Sequence, residues 1–186
     1  RWLFYAGQSF FDSAKTKDKN ENEKRLKKSM DYYDERINRT DGNYEEVFFS
    51  QYRKSIIHQL LKSPMSVIQK EALKAYSIEP LRAESLSLLI RSYVNKKEWN
   101  IAYLYSKFCK VNFHQKNPYP NRRLFINNKI YEWKLLELHS VISLNTGRKK
   151  EAINDYNQLL TIYKNKPELF NTNEINVIKN NQKFFK

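Results

Sequence analysis

The sequence predicts an all-α array of antiparallel helix pairs. Three observations carry this: apolar residues recur at helical spacing along most of the chain, breakers are few with 3 Gly and 5 Pro in 186 residues, and β-branched alternation is scarce. The clearest pair lies at Ala83 to Lys110. Leu86, Leu89, Ile90 and Tyr93 form one stripe, Ile101, Ala102, Tyr105, Phe108 and Cys109 form the other, and Asn95 to Glu98 supplies a polar turn. A pair of this size cannot bury its own apolar faces, so neighbouring pairs must stack.

The first helix is expected over Arg1 to Lys15, with Leu3, Ala6, Gly7, Phe10 and Phe11 on one side. Its Ala6-Gly7 step lets a neighbouring helix come close. Lys15 to Lys28 is a charge run whose first half has no apolar residue and reads as a solvated loop. A second helix is expected from about Glu23 to Arg39, burying Leu26, Met30, Tyr33 and Ile37, and Arg39 to Asn43 ends it with turn residues.

Tyr44 to Leu61 predicts a third helix, where Glu45 and Glu46 suit the positive end of the helix dipole. Ser63-Pro64 reads as an N-cap and first-turn proline for a fourth helix, Met65 to Ser77, and Pro80 separates it from the next pair. After Lys110 the two prolines of Asn117 to Glu132 interrupt the pattern, so a short irregular insert is expected over 117–132, with Arg123 to Ile126 as the one candidate for an extended piece. Trp133 to Leu144 resumes a helix, Asn145 to Gly147 turns, and Lys149 to Tyr163 pairs back. The helix pairs thus fall at about 1–39, 44–78, 83–112 and 133–164, and a last helix at 173–185 caps the open end.

Composition bounds the rest. Hydrophobic residues at 40% and aromatics at 15% support one helical-repeat domain over 1–186, and folding should bury about 70% of the extended chain's surface. The formal charge of +14 attracts nucleic acid or an anionic surface. The bland reading is a Lys- and Asn-rich composition whose charge sits in loops and tails. The single Cys109 excludes an internal disulfide framework and fits a reducing, cytoplasmic setting. No stretch approaches the roughly 18 apolar residues of a membrane span. The chain opens at Arg1, already inside an amphipathic helix, which reads as a segment cut from something longer.

Ile68, Ala102 and Ala152 each fall in the first turns of the second helix of a pair. The step from 68 to 102 is 34 residues, and that from 102 to 152 exceeds it by the 16 residues of the insert. Gly147, Glu151-Ala152 and Tyr156 resemble the G…EA…Y pattern of tetratricopeptide repeats, whose period is about 34 residues.

A narrower likeness rests on Phe4-Tyr5 with Gln8-Ser9 and Asp12, Tyr44-Glu45-Glu46, Pro80 with Arg82-Ala83-Glu84, Ala102-Tyr103 with Tyr105, Leu124-Phe125, and Tyr131 with Trp133 and Glu137. Together these resemble the helical extension that follows the catalytic domain in some bacterial and large-virus family 2 glycosyltransferases. The resemblance implies a helical region beside an active site, not the site itself. No Asp-x-Asp metal motif occurs in this sequence.

The search for chemistry yields little. His58, His114 and His139 lack a second His or Cys at metal-ligand spacing and read as satisfied helix residues. Cys109 sits on a packing face and reads as an inert buried thiol. With 3 Gly there is no glycine-rich phosphate loop. Trp2, Trp99 and Trp133 read as core aromatics before they read as a stacking platform. No catalytic residue, metal ligand or cofactor is therefore assigned, and the chain as given is not expected to be an enzyme. In arrays of this type the first helix of each pair lines a groove, which points Arg53, Ser87, Arg91, Asn95, Glu137 and Asn145 toward a protein or peptide partner. The expected function is a non-catalytic scaffold, accessory to a glycosyltransferase by resemblance. The alternatives are a standalone peptide-binding adaptor and a basic nucleic-acid-binding repeat protein, the latter from Lys15 to Lys28, Arg122-Arg123 and Arg148 to Lys150.

Overall fold

The computed structural model describes residues 1–39, 43–116 and 125–185. Among these residues the chain is all-α, with no strand. The helices are α1 (Trp2–Ser13), α2 (Lys19–Asn38), α3 (Tyr44–Leu60), α4 (Met65–Ile78), α5 (Glu84–Asn95), α6 (Trp99–Phe113), α7 (Leu135–Asn145), α8 (Lys149–Asn165) and α9 (Thr172–Asn181). Two compact units are distinguished. One comprises Arg1–Leu89 and Asn121–Phe125, the other Ile90–Pro120 and Ile126–Lys186.

In the first unit α1 packs on α2, α2 on α3 and α3 on α4. Phe4, Leu26, Tyr33, Phe48, Phe49, Ile57 and Ala75 form its core. Helix α2 begins at Lys19, four residues before the expected start, because the Asp18 side chain accepts from the Asn20 and Glu21 amides and caps a turn that has no apolar residue. Its buried face is also turned from the expected one. Ser29 and Arg36 are buried where Met30 and Ile37 are only half-buried, since each polar group finds a partner. The Ser29 hydroxyl donates to Gly7 O at 2.7 Å, and Arg36 Nε donates to Glu46 Oε2 at 3.0 Å. Glu46 therefore does more than complement the α3 dipole. Residues 40–42 of the expected turn lie outside the described residues, and Asn43 caps α3 through the Glu45 amide.

Ser63 does not cap α4. Its hydroxyl meets His58 Nδ1 at 3.0 Å, and Pro64 stands at the cap position with extended backbone. Arg82 is buried against Glu84 (Nη2 to Oε1, 2.8 Å), lies over the Phe48 ring at 4.3 Å and donates to Phe125 O at 3.1 Å. Phe125, expected in an extended piece, is instead at a turn with φ of 63°, packed on Phe4 and Phe49.

In the second unit α6 packs on α7 and α7 on α8. Tyr93 of α5 stacks on Tyr105 of α6. Trp133, Leu136, Ala152, Tyr156, Leu159, Phe170, Ile178 and Phe185 form the core. The helical path into α7 begins at Asn128, five residues before the expected Trp133, and runs through a π-helical segment at Ile130–Lys134. The extra residue in that turn lets Tyr131 O accept from Gln115 N at 2.8 Å. Of the expected insert, residues 117–124 lie outside the described residues. An Asn171–Glu174 capping box starts α9, and the Tyr156 hydroxyl donates to Ile178 O.

The repeat is written in the turns. After α3, α5 and α7 the chain closes with the same pair of bonds around one residue of positive φ: Lys62 (55°), Lys97 (60°) and Gly147 (77°). In each, the amide one residue on reaches back five positions, Ser63 N to His58 O at 2.9 Å, Glu98 N to Tyr93 O at 3.0 Å and Arg148 N to Ser143 O at 2.8 Å. Only the third uses glycine, so the first two are invisible to a search for glycine caps. Ile68, Ala102 and Ala152 follow these turns, and all three are buried.

Candidate functional site

The six residues placed in a groove by the sequence divide between the two units. In the first, Arg53 on α3 is half-buried and laid over aromatics, its guanidinium 4.4 Å from the Phe11 ring and 4.8 Å from that of Phe49. Its Nε is buried and meets no acceptor. Arg53 is therefore a packing cation that covers the core, and its positive charge opposes the burial that pushes the Tyr33 phenol up to about 12. Ser87 on α5 is buried, with a hydroxyl that finds no hydrogen-bond partner. It presents nothing to an open groove.

In the second unit Arg91 on α5 and Glu137 on α7 stand on the first helices of successive pairs, both half-buried. Burial holds the Glu137 carboxyl above its ordinary value, opposed by the positive charges of Lys134 and Arg91, while Glu174 on α9 adds to the rise. Glu174 itself accepts from Lys129 at 2.8 Å and lies 3.3 Å from Lys134. Alternate helices α5, α7 and α9 thus bring charge of both signs to one region. Asn95 and Asn145 are exposed at the ends of α5 and α7, and the Asn145 amide donates to Val141 O in its own helix.

The strongest polar constellation is one the sequence reading passed over. His139 on α7 is fully buried, with Nδ1 2.9 Å from Ser106 Oγ on α6 and Nε2 3.1 Å from Glu151 Oε1 on α8. Tyr103 OH donates to Glu151 Oε2 at 2.8 Å, and the Tyr103 ring stacks on the imidazole at 5.3 Å. Asp155 Oδ2 stands 3.8 Å from Nε2 and Asp155 is clamped by Lys110 at 2.6 and 2.7 Å.

The chemistry of this cluster follows from its donors. Burial raises the Glu151 carboxyl, but the hydrogen bonds from His139 and Tyr103 outweigh that and leave it lowered, so Glu151 accepts. Nε2 then carries the proton, and Nδ1 accepts from the Ser106 hydroxyl. Burial, first among the influences, lowers the pKa of His139 itself. The line of hydroxyl, imidazole and carboxylate has the order of a nucleophile, base and orienting group. Ser106 is fully buried, however, and its hydroxyl also lies 3.1 Å from Tyr103 O, so it meets core atoms where a nucleophile would meet substrate. The cluster joins α6, α7 and α8. A trace of it was available in the sequence, because His139 falls on the stripe Leu135, Leu136, Ile142 that the helix buries.

Other candidates resolve as packing. Burial pushes the Cys109 thiol up to about 12, which keeps it protonated and unreactive. Trp133 is buried 4.6 Å from the Phe170 ring, whereas Trp2 is exposed and meets Tyr32 edge-on at 6.0 Å. Lys15, Lys17, Lys19, Lys24, Lys27 and Lys28 are exposed, as are Arg148 to Lys150, and Arg122-Arg123 lies outside the described residues. A cleft of about 560 Å³ opens beside the π-helical segment, lined by Gln115, Tyr131, Glu132, Thr161, Ile162 and Lys166 among others. Among the described residues no group of three or more His, Cys, Asp or Glu side chains is placed to hold a metal ion, and no helix is long and apolar enough to cross a membrane. Comparison with models of known families, with characterised proteins and with solved structures finds no match.

Proposed function

We propose that the chain is a non-catalytic helical-repeat domain that holds a protein or peptide partner along the first helices of its pairs. The observation that carries this reading is the Arg91, Lys134, Glu137 and Glu174 region. Alternate helices bring paired and half-buried charges together there, and a carboxyl raised by burial gains most from a partner that supplies a cation or a backbone amide. The buried polar cluster supports the same reading, since its hydroxyl, imidazole and carboxylates are spent on joining three helices.

Within that reading the domain serves as the accessory region of a family 2 glycosyltransferase, on the strength of the quoted sequence likeness; Arg82 and Glu84, two residues of that likeness, form a buried ion pair that the fold uses. The test is the intact mass and N-terminal peptide map of the protein from its source. An upstream segment carrying an Asp-x-Asp motif supports the accessory role. A native start within a few residues of Arg1 removes it and leaves a standalone adaptor.

A second reading, a nucleic-acid-binding repeat, is favoured by the exposed lysines of residues 15–28. It requires an affinity for RNA or DNA whose logarithm falls with log salt at a slope of several units. A salt-flat response removes it.

A further inference from the structure

Helix α6 is apolar on two opposite faces. Ala102, Ser106, Cys109 and Phe113 are buried, as the fold requires. Ile101, Leu104, Phe108 and Val111 are exposed, at 38%, 68%, 43% and 61%. Their spacing of three, four and three residues is that of the a and d positions of a coiled-coil seam. An exposed apolar stripe at this spacing marks an interaction surface, so it calls for a cover.

Charge selects what the cover is. Trp99–Phe113 contains no carboxylate, and the exposed cation on the stripe's flank is Lys107. Lys97 and Lys116 are exposed at the two ends of the helix, and the whole chain carries +14. A second copy of this chain would set these cations against their own kind. A narrow seam of four side chains also fits the ridge of one helix better than the broad apolar face by which helices lie in a bilayer surface. We propose that the exposed face of α6 is a docking site for an acidic amphipathic helix, with apolar residues at heptad spacing seated on Ile101, Leu104, Phe108 and Val111 and carboxylates meeting Lys107 and the lysines at the helix ends. This surface lies on the second helix of its pair, apart from Arg91 and Glu137 on first helices, and it extends the partner-holding reading to a second site.

The experiment uses the full chain and three synthetic four-heptad helical peptides. The first has Leu at a and d and Glu at e and g, where like-charge repulsion keeps it from pairing with itself. The second keeps every Glu but has Gln at a and d, and the third has Leu at a and d with Lys at e and g. The first should bind saturably, about tenfold or more tighter than either control, with amide exchange slowed in α6. A Leu104→Gln, Val111→Gln double variant, both residues being exposed, should keep its helical circular dichroism and lose that advantage. Lys107→Glu should weaken the first peptide and strengthen the third. Equal binding of the first two peptides, unchanged binding by the double variant, stripe-dependent self-association in sedimentation without peptide binding, or stripe-dependent binding to phosphatidylserine vesicles alone would each overturn the proposal.

Discussion

Gly7 on α1 and Tyr33 on α2 approach so closely that a Cβ on Gly7 would stand 2.8 Å from Tyr33 Cε1 and 2.9 Å from Cδ1. The ring is fully buried and cannot swing clear. Beside it Ser29 donates to Gly7 O, so the two helices are joined by a hydrogen bond where they come together. Gly7→Ala gains about 1 kcal/mol in helix propensity, but overpacking costs about 1 to 3 kcal/mol. A net destabilisation is expected, read as a lowered urea midpoint at unchanged slope. A raised midpoint would show that Tyr33 has room to move.

Arg36 and Glu46 are both buried and face one another at 3.0 Å. Removing one partner leaves an uncompensated buried charge, so Glu46→Ala is expected to cost about 3 to 5 kcal/mol. Replacing both, Arg36→Met with Glu46→Leu, should cost less than Glu46→Ala alone. Denaturant titration of the three proteins checks the order.

Ala102 follows the Lys97 turn and is fully buried. Ala102→Leu adds volume where α6 enters the core and should destabilise by about 1 to 3 kcal/mol. The same change at Ala152, its counterpart after the Gly147 turn, is expected to have a similar effect. A neutral outcome at either position would contradict the shared register.

Acid should weaken the fold earlier than carboxylate chemistry alone predicts. Burial lowers the pKa of His58, His114 and His139 below the ordinary 6.5. Below that value the unfolded chain takes up protons that the native state resists, so stability is full above about pH 6.5 and declines as pH falls through it. Around His139 the ring faces Glu151, Asp155 and Lys110, and the two carboxylates only partly offset burial. Glu71, Glu151 and Glu174, all lowered, add a further loss below their ordinary 4.5. Glu137, raised by burial, acts in the opposite direction, since its native carboxyl keeps a proton more readily. Unfolding midpoints at pH 7.5 and 5.5 should differ, and His139→Gln should narrow the gap.

Much of this fold was legible in residue spacing. The Leu86 to Tyr93 stripe, the burial of Ala102 and Cys109, the 34-residue step and the close approach at Gly7 all follow from periodicity and residue size, whereas Ile101 and Phe108, expected on the packing stripe with Ala102 and Cys109, are exposed. Several of the positions that escaped share one cause: polar groups buried because a partner elsewhere along the chain satisfies them. Ser29 and Arg36 displaced Met30 and Ile37 from the α2 core through partners 22 and 10 residues away. His139 joined Ser106 across 33 residues and Glu151 across 12, which no local pattern encodes. The start of α2 was missed because a single Asp18 cap outweighs the lack of apolar residues after it. Residue spacing did not carry the side-chain environments of the six groove candidates: Ser87 is buried and Arg53 lies on aromatic rings, while Arg91 and Glu137 share a charged region.

The central claim, a partner held by the first helices, is tested most directly by selecting peptides on the domain from a random displayed library and measuring the best of them against Arg91→Glu and Glu137→Lys. Each substitution should weaken binding by about tenfold or more with helical circular dichroism unchanged. Failure to select any peptide, or selected peptides that bind both variants as tightly as the original chain, would contradict it.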